Sequence, residues 1–339
     1  MKGPIFLLGI QRGGTNQVLN VLRSHPATYW PGGELHEVFR PPRPLAVEAA
    51  RAARKLLRYA PIWLTAGDIL DVDRPPRRAG LLAGARGRAL AAGLARSAAL
   101  NRPSVAAYKA ELRRHGFFGE ATPPPDRMLV KALNYNLAFV PDLHALYPDA
   151  RFVGVIRDGR AVCEGHVARG ADLAAATATY AFVGRQLIEL EARGLPLRTW
   201  RFEDLLADAA GVSAAIYDFC GLDRGATLGV SLQDKERIVK PDGHVAGMRK
   251  TSRFYRFEEM GRHMRADANA AALGRMPAEA LAEITDRCRE ALAHIGYIGP
   301  EIGTEIGTEI GGEIDGEIGG AGAPALPKAA ARAGGGPAR

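Results

Sequence analysis

The segment from Pro4 to Pro26 constrains the fold of this chain more than any other stretch. Residues 4–10 are almost all apolar, which is typical of a strand buried on both faces of a parallel sheet. Gly13 and Gly14 then form a turn, and apolar residues recur at helical spacing until Pro26 ends the helix. A strand, a Gly-rich turn and a helix N-terminus bind phosphate well, because backbone N–H groups and the positive end of the helix dipole converge there. The segment predicts an α/β protein with an anion site at this turn. The alternative to an anion site is a structural turn that binds no ligand.

The residues of this turn narrow the kind of anion site. Arg12 can add a full positive charge, and Gly13 and Gly14 permit positive φ and close approach of a ligand to the backbone. Thr15 or Asn16 can cap the start of the helix. A Walker A sequence would require Gly-Lys followed by Ser or Thr at this point. The chain has Gly-Thr-Asn instead, so an ordinary ATPase loop is excluded.

A second short apolar strand, residues 151–156, runs into Arg157-Asp158-Gly159-Arg160 and then into a helix. Arg157 can hold a phosphate through paired, charge-assisted hydrogen bonds. The alternative is that Arg157 and Arg160 form salt bridges with Asp158 at the end of the strand.

Three segments, in order, resemble the sulfotransferases that use 3′-phosphoadenosine 5′-phosphosulfate (PAPS). The resemblance is greatest to the branch with protein-tyrosine, Golgi carbohydrate and many bacterial enzymes, and it covers roughly residues 3–299. The family's 5′-phosphosulfate loop, Arg-Ser-Gly-Thr-(Thr/Ser), appears at 12–16, and the following His-Pro at 25–26. The 3′-phosphate element Arg-Asp-(Gly/Pro)-Arg matches 157–160, and Pro-Leu-Arg-x-x-x-(Tyr/Phe)-Glu-Asp-Leu matches 196–205.

One departure affects the 3′-phosphate element. The family ends it in a Ser eight residues after the first Arg, and Gly165 occupies that position here. Either His166, a water molecule or the basic Arg249 and Lys250 compensates for the missing hydroxyl, or donor affinity is reduced. Arg249 and Lys250 belong to the basic stretch 232–257, for which we expect a loop.

The resemblance implies in-line transfer of a sulfuryl group, in which positioning and charge neutralisation do most of the catalysis. Arg12 and the amides of 13–16 would bind the 5′-phosphosulfate. Lys131, expected at the end of its strand, would neutralise the transferred group, with a surface lysine as the alternative. A general base is needed; Glu34 is the first candidate and His36 the second, and exposed loop charges are the alternative for both. No metal is implied, since arginine and lysine take the role of Mg²⁺ in kinases.

The implied fold is a three-layer α/β/α, P-loop-like fold with a central parallel sheet of four or five strands. An insertion over about 40–125, rich in Ala, Arg and Leu, should contain helices at 47–59 and 81–100. It either shapes the acceptor site or packs as a helical cap. Further helices are expected at 171–193 and, as the last one, at 277–296.

From Gly299 the chain repeats Glu-Ile-Gly with minor changes and then continues as Ala, Gly and Pro. A repeat this rich in Gly is typical of disorder. The hydrophobic share of 47% is sufficient for one large core. The sequence therefore predicts a single sulfotransferase-like domain over residues 1–299 and a disordered tail over 300–339.

Composition bears on partners and compartment. The net charge of +8 would suit nucleic acid or an anionic membrane, but we favour a solvated, Arg-rich surface and expect no nucleic-acid partner. Three widely separated cysteines form neither a zinc spacing nor a disulfide framework, which fits a reducing compartment. No stretch approaches the ~18 apolar residues of a membrane span. We expect a cytoplasmic protein that acts on a small-molecule or glycan hydroxyl (sugar, lipid, phenol or secondary metabolite), and the oligomeric state stays open.

Two other functions compete with sulfuryl transfer. A small-molecule kinase would need the Walker Lys and a Mg²⁺-binding Ser or Thr, which this loop lacks. A catalytically inactive nucleotide- or carbohydrate-binding module of the same fold is favoured by Gly165 and Asn16. Arg12, Lys131 and Glu34 argue against such a module, because they are the residues that chemistry requires.

Overall fold

A computed structural model describes residues 2–35, 38, 75–76, 80–118, 122, 124–239, 245–264 and 267–299, with the backbone alone at 233–239, 245–250 and 262–263. Contacts between residues divide the chain into two units, Met1–Gly299 and Pro300–Arg339. The expected tail over 300–339 and the expected helix over 47–59 lie outside the described residues.

A five-stranded parallel sheet lies at the centre of the described residues. Its strands are, in chain order, β1 (Ile5–Gly9), β2 (Thr28–Tyr29), β3 (Arg127–Leu133), β4 (Arg151–Ile156) and β5 (Leu197–Arg201). Across the sheet the order is β2-β3-β1-β4-β5, so that Leu7 of β1 lies between Lys131 and Val153. Because all strands run in one direction, the turns that follow them meet at one carboxyl edge, where ligands of open α/β sheets bind.

Among the described residues, no helix is long and apolar enough to cross a membrane. In chain order the helices are α1 (Thr15–Ser24), α2 (Ala85–Arg114), α3 (Val140–Leu146), α4 (Gly159–Val167), α5 (Leu173–Ala192), α6 (Phe202–Ala207), α7 (Ala209–Cys220), α8 (Phe257–His263), α9 (Ala268–Leu273), α10 (Ala278–Arg287) and α11 (Arg289–His294). The expected helix over 171–193 is α5. Short 3₁₀ helices cover Asn134–Phe139 and Arg224–Ala226.

The side chains of β1 alternate between two hydrophobic cores, one on each face of the sheet. Phe6 and Leu8 enter the first core, with residues of α3, α4, α5, α10 and α11. Ile5 and Leu7 enter the second, with residues of α1, α6, α7 and α8. A strand covered on both faces requires a run of apolar residues. The expected three-layer α/β/α architecture with a central parallel sheet is confirmed.

Helix α2 is longer than the helix expected over 81–100. It continues through Pro103 to Arg114, although a proline inside a helix removes one backbone hydrogen bond. Leu94 is buried in the first core and Val105 in the second. Packing on both sides of the proline therefore holds the helix together, and this support is not visible in local sequence.

The expectation of a loop over 232–257 is wrong. Two strands, β6 (Gly229–Val239) and β7 (Val245–Arg256), form an antiparallel hairpin there. The base of the hairpin joins the body of the protein, since Leu232 is buried and the Ser231 N–H donates to Ser24 Oγ at 3.1 Å. Strand pairing and this docking decide the structure, whereas the charged residues obscure any strand alternation in the sequence.

The last helix, expected over 277–296, is divided into α10 and α11 at Cys288. The backbone of Cys288 leaves the helical region with ψ of 9°. Its buried Sγ lies 3.7 Å from the backbone oxygen of Thr177. Both helices nevertheless pack on the first core.

Candidate active site

The turn between β1 and α1 lies at the carboxyl edge of the sheet. Arg12 has φ of 72° and Gly14 has φ of 83°, so the positive φ values belong to Arg12 and Gly14 and not to Gly13. A Cβ on Gly14 would lie 2.1 Å from the ring of Phe202. Glycine is therefore required at position 14 by space as well as by conformation.

The first turn of α1 has no side-chain cap. Its N-cap residue is Gly14, so neither Thr15 nor Asn16 takes the capping role that the sequence allowed. The Gln17 N–H turns back to Gly14 O at 2.9 Å. The first N–H groups of any helix have no acceptor within the helix, and an anion at this point would satisfy them.

Two side chains hold the peptide groups on either side of Gln11. Asn134 Oδ1 accepts the Gln11 N–H at 3.1 Å, and His166 Nε2 lies 3.0 Å from Gln11 O. Burial lowers the pKa of His166, so the neutral ring donates its Nε2–H to this carbonyl. His166 therefore shapes the turn in this structure, where the sequence offered it as a substitute for the missing hydroxyl.

Asn134 was not among the site residues predicted from the sequence. This residue directly follows β3 and has φ of 54°, a conformation that asparagine adopts more readily than most residues. An asparagine at the end of a buried strand was the available signal. The signal says nothing about which backbone group the side chain would bind.

Lys131 joins the turn to the segment that follows β2. Its Nζ donates to Asn16 Oδ1 at 2.8 Å and to Glu34 Oε1 at 2.8 Å. Lys131 lies within β3 and is 5% exposed, so its expected place at the strand end is wrong, and the surface-lysine alternative is excluded. A buried ammonium is tolerated here because a carboxylate and an amide oxygen replace its water.

Of the two candidates for the general base, Glu34 is the one that lies among the described residues. It follows Gly33, which has φ of 114°, and its side chain is 28% exposed. The carboxylate thus contacts Lys131 on one side and remains reachable from solvent. His36 lies outside the described residues, so the choice between Glu34 and His36 stays a prediction.

The arginines of the 157–160 element have different surroundings. Arg160 binds both carboxylate oxygens of Asp158, from Nε to Oδ1 at 3.0 Å and from Nη2 to Oδ2 at 2.8 Å. Asp158 is also the N-cap of α4, where it accepts the Arg160 N–H. The salt-bridge alternative is therefore right for Arg160, which fixes the start of α4.

Arg157 does not share that ion pair. Its Nε donates to Asn269 Oδ1 at 2.6 Å, its Nη2 to Ala268 O at 3.0 Å, and its Nη1 to Arg12 O at 3.4 Å. Burial lowers the pKa of Arg157, and the nearby Glu203 partly offsets this. The guanidinium is half-buried at the carboxyl end of β4, beside the turn, where the sequence expected a phosphate ligand.

A cavity of about 230 Å³ lies between the turn, α4 and α9, lined by Arg12, Arg157, Ala161, Glu164, Gly165, Ala268, Ala271, Ala272 and Arg275. A Cβ on Gly165 would lie 3.5 Å from Arg12 Cβ, so a serine would fit there. Arg275 Nε binds Glu164 Oε1 at 2.6 Å at the rim. The sequence analysis missed Arg275, because it lies in no motif and far along the chain.

The cavity is strongly cationic. Burial and then the charge of Arg169 lower the pKa of Arg12, so an anion bound there would stabilise its charged form. Within the described ranges, no group of three or more His, Cys, Asp and Glu side chains could hold a metal ion. The arrangement is suited to hold phosphate or sulfate groups through guanidinium and backbone N–H groups.

Arg249 and Lys250 belong to β7, where they pair with Glu236 and Lys235 of β6. The base of this hairpin meets the C-terminal end of α1. The turn between β1 and α1 lies at the other end of this ten-residue helix, about 15 Å away. The backbone alone is described at both residues, and their contribution to donor binding stays a prediction.

A larger cavity, of about 640 Å³, lies against α2. Its lining includes Tyr29, Ala98, Val105 and Pro125 and none of the expected site residues. We place the candidate active site at the smaller cavity, because Arg12, Arg157 and Gly165, which the sequence predicted as site residues, line it.

Comparison with known proteins agrees with this geometry. The model of the sulfotransferase family matches residues 4–225. The chain belongs to the sulfotransferase family. The matched range contains the donor turn, Lys131 and the 157–160 element, so the residues of the candidate site lie largely in the part that defines the family. No curated protein sequence matches the chain.

Solved sulfotransferase structures are similar to this sulfotransferase over most of its length. The sulfotransferase domain of the Synechococcus PCC 7002 olefin synthase is 17% identical and covers 88% of this chain and 98% of its own, with a TM-score of 0.43. The sulfotransferase domain from the curacin biosynthetic pathway is 14% identical over 88% and 99%, with a TM-score of 0.43. Sulfotransferase STF1 from Mycobacterium tuberculosis H37Rv is 16% identical over 86% and 77%, with a TM-score of 0.42.

Proposed function

We propose that this protein transfers the sulfuryl group of PAPS to a hydroxyl group of a small-molecule or glycan acceptor in the cytoplasm. The observation that carries the proposal is the Lys131 cluster. One buried ammonium binds Asn16 on the donor turn and Glu34 on the expected acceptor side, each at 2.8 Å. The groups that must act on the donor and on the acceptor are thereby held together.

The donor fits the residues of the site. The uncapped start of α1 and Arg12 would bind the 5′-phosphosulfate, because both direct positive charge to one point. Arg157 and the cationic cavity would bind the 3′-phosphate. That second phosphate distinguishes PAPS from ordinary adenine nucleotides, so a separate cationic subsite is the property that a PAPS enzyme needs.

The transfer is a direct in-line displacement at sulfur. The acceptor oxygen forms a bond to sulfur, the bond from sulfur to the 5′-phosphate oxygen breaks, and adenosine 3′,5′-bisphosphate leaves. Glu34 takes the proton of the acceptor hydroxyl, with His36 as the alternative base. Arg12 and Lys131 stabilise the negative charge that develops on the leaving phosphate and the sulfuryl oxygens.

A binding module without catalysis is the second candidate. The absence of a hydroxyl at Gly165 favours it, because the missing hydrogen bond would weaken donor binding. Such a module would bind the nucleotide but release no bisphosphate from PAPS in the presence of any acceptor.

The test begins with thermal shifts of the full chain in adenosine 3′,5′-bisphosphate, AMP and ATP. A ligand at one hundred times its Kd stabilises the folded state by about 2.7 kcal/mol, and we expect this only for the bisphosphate. Equal shifts with AMP would contradict the 3′-phosphate assignment. An acceptor screen with radiolabelled PAPS follows, with Arg12→Ala as the inactive control, expected to lose about 10²–10³ in rate.

A further inference from the structure

A chain of hydrogen bonds leads from the C-terminal segment to Arg157. The Tyr297 O–H donates to Glu203 Oε2 at 2.5 Å, and Asn269 Nδ2 donates to Glu203 Oε1. Arg157 Nε then donates to Asn269 Oδ1 at 2.6 Å. Four residues, from the end of β4, from α6, from α9 and from the segment after α11, are thus connected in one line.

The Glu203 carboxylate is the centre of this line. Besides the two side chains, it accepts the Asp158 N–H on Oε1 at 3.2 Å, so three donors meet two oxygens. A glutamine would keep one acceptor oxygen and reverse the bond to Tyr297, and the hydrogen bonds that remain would lose the strength that the carboxylate charge gives them. Burial and then the charge of Glu203 raise the pKa of Tyr297, which keeps the phenol protonated as a donor.

The bond to Glu203 fixes the orientation of the Asn269 amide, and this amide in turn orients Arg157. Its NH₂ group is committed to Glu203, so its carbonyl oxygen can only face the guanidinium. The neighbouring Ala268 O accepts from Nη2 of the same guanidinium at 3.0 Å, and the Arg157 Cζ stacks 5.4 Å from the centre of the Phe202 ring. The side chain of Arg157 therefore has one preferred orientation.

That orientation directs Arg157 into the cationic cavity. A guanidinium has five N–H groups, and contacts among the described residues use three of them. The guanidinium lines the cavity together with Arg12 and Gly165. An arginine already held in this way loses less conformational freedom when it binds a ligand.

We propose that Asn269 and Glu203 are positioning residues that hold Arg157 in the orientation that reads a phosphate on the 3′ side of the nucleotide. This inference rests on the proposed use of PAPS. It assigns donor selection partly to α9 and α6, outside the phosphate-binding elements found in the sequence. Neither Asn269 nor Glu203 contacts the reacting atoms in this account.

The experiment measures the dissociation constants of adenosine 3′,5′-bisphosphate and AMP by calorimetry with the full chain. We expect Asn269→Ala to weaken the bisphosphate about ten-fold, as for the loss of one hydrogen bond to a charged group, and to leave AMP unchanged. Glu203→Gln should act in the same direction. The double variant should be no weaker than the worse single variant, because the two residues act through one bond.

Two further variants separate positioning from folding. Asn101→Ala is the matched control, since Asn101 Nδ2 also donates a hydrogen bond, here to the Trp30 backbone oxygen at 3.0 Å, away from the cavity. Both dissociation constants should stay unchanged. Tyr297→Phe keeps the ring and removes one donor, so the bisphosphate should weaken about three-fold. This milder variant keeps the proposal testable should Asn269→Ala or Glu203→Gln fail to fold.

The outcomes separate this inference from the proposed function. A wild-type protein that binds AMP as tightly as the bisphosphate contradicts the use of PAPS. Suppose that the wild type binds the bisphosphate more tightly than AMP and that Arg157→Ala removes this preference. An Asn269→Ala protein that keeps the full preference would then overturn the positioning role. Equal loss of affinity for both nucleotides would also overturn it, because that result indicates a structural role only.

Discussion

At the scale of single residues, the candidate site depends on how a few charges are paired. Lys131 is buried, and its ammonium binds Glu34 and Asn16, which allows a cation inside the sheet layer. Arg160 is paired with Asp158, whereas Arg157 is held by neutral amide and carbonyl groups. Arg157 therefore keeps its net charge for an anionic ligand.

Glu34→Gln tests the general base. The substitution keeps the oxygen that accepts from Lys131 but removes the charge that takes a proton, so the turnover rate should fall about 10²–10⁴-fold. Binding of adenosine 3′,5′-bisphosphate, measured by calorimetry, should be unchanged. Glu279→Gln, an exposed position on α10, is the matched control. Full activity of Glu34→Gln together with an inactive His36→Ala would assign the base to His36.

Gly165→Ser tests the missing hydroxyl. A Cβ at this position makes an ordinary contact with Arg12, so a serine side chain fits and can reach the cationic cavity. We expect the variant to bind the bisphosphate about ten-fold more tightly, as for one hydrogen bond to a charged group. Gly165→Ala is the control, because it adds the Cβ and a larger gain in helix propensity without the hydroxyl. Equal affinities of the two variants would refute a role for the hydroxyl.

At the scale of elements, the two ends of α1 have different partners. The N-terminal end is uncapped and faces the site. The C-terminal end is held by Lys109, whose Nζ donates to Arg23 O and His25 O. The His25 ring binds Asp223 O through Nε2 at 2.8 Å and accepts the Ala27 N–H on Nδ1 at 3.2 Å. Support at the distant end thus leaves the donor end available for a ligand.

His25 makes stability depend on pH. Burial lowers its pKa from 6.5 to about 4, and the charge of Lys109 acts in the same direction. At a pH between these two values, His25 is protonated in the unfolded chain but not in the folded chain. The contribution of His25 to the free energy of unfolding is therefore complete above pH 6.5 and is lost as the pH falls toward 4. Between pH 7.5 and 5 the loss should be about 2 kcal/mol.

Denaturant unfolding of wild type and His25→Gln at both pH values measures this loss. The glutamine variant is less stable at pH 7.5, and the difference from wild type should shrink by about 2 kcal/mol at pH 5. His294→Gln on the exposed end of α11 is the control and should follow wild type. A difference that is the same at both pH values would rule out His25 as the source.

At the scale of the whole molecule, the chain between α11 and residue 299 closes the first core. Ile295, Tyr297 and Ile298 pack against that core, and Tyr297 also binds Glu203. From its sequence, we predict that the following Gly-rich Glu-Ile-Gly repeat forms no apolar face. The functional end of the domain should therefore lie just before residue 300.

Two truncations test this boundary. Deletion of 301–339 should leave the melting temperature and the activity within error of the full chain, since a Gly-rich repeat buries little apolar surface. Deletion of 295–339 removes three packed side chains and should lower the melting temperature by several degrees or prevent folding. A large loss of stability on the shorter deletion would show that the tail docks on the domain.

The sequence by itself determined the features that depend on neighbouring residues. The apolar run of β1, the glycine turn with Arg12 and the 157–160 element are each contained in a few consecutive residues. Strand burial and the positions of the turn and of the helix after it follow from such local patterns, whereas the positive φ at Arg12 and the cap of α1 do not. The region of the site could therefore be predicted, and the resemblance to the sulfotransferases added the layer architecture.

The tertiary structure alone decided which side chains meet. Lys131 lies 115 residues from Asn16 and 97 from Glu34, and these groups come together because β3 lies between β1 and β2 in the sheet. Arg157 and Asn269 are 112 residues apart. Pairings over such distances depend on strand order and on the docking of whole helices, whereas residue periodicity records only which face of an element is buried.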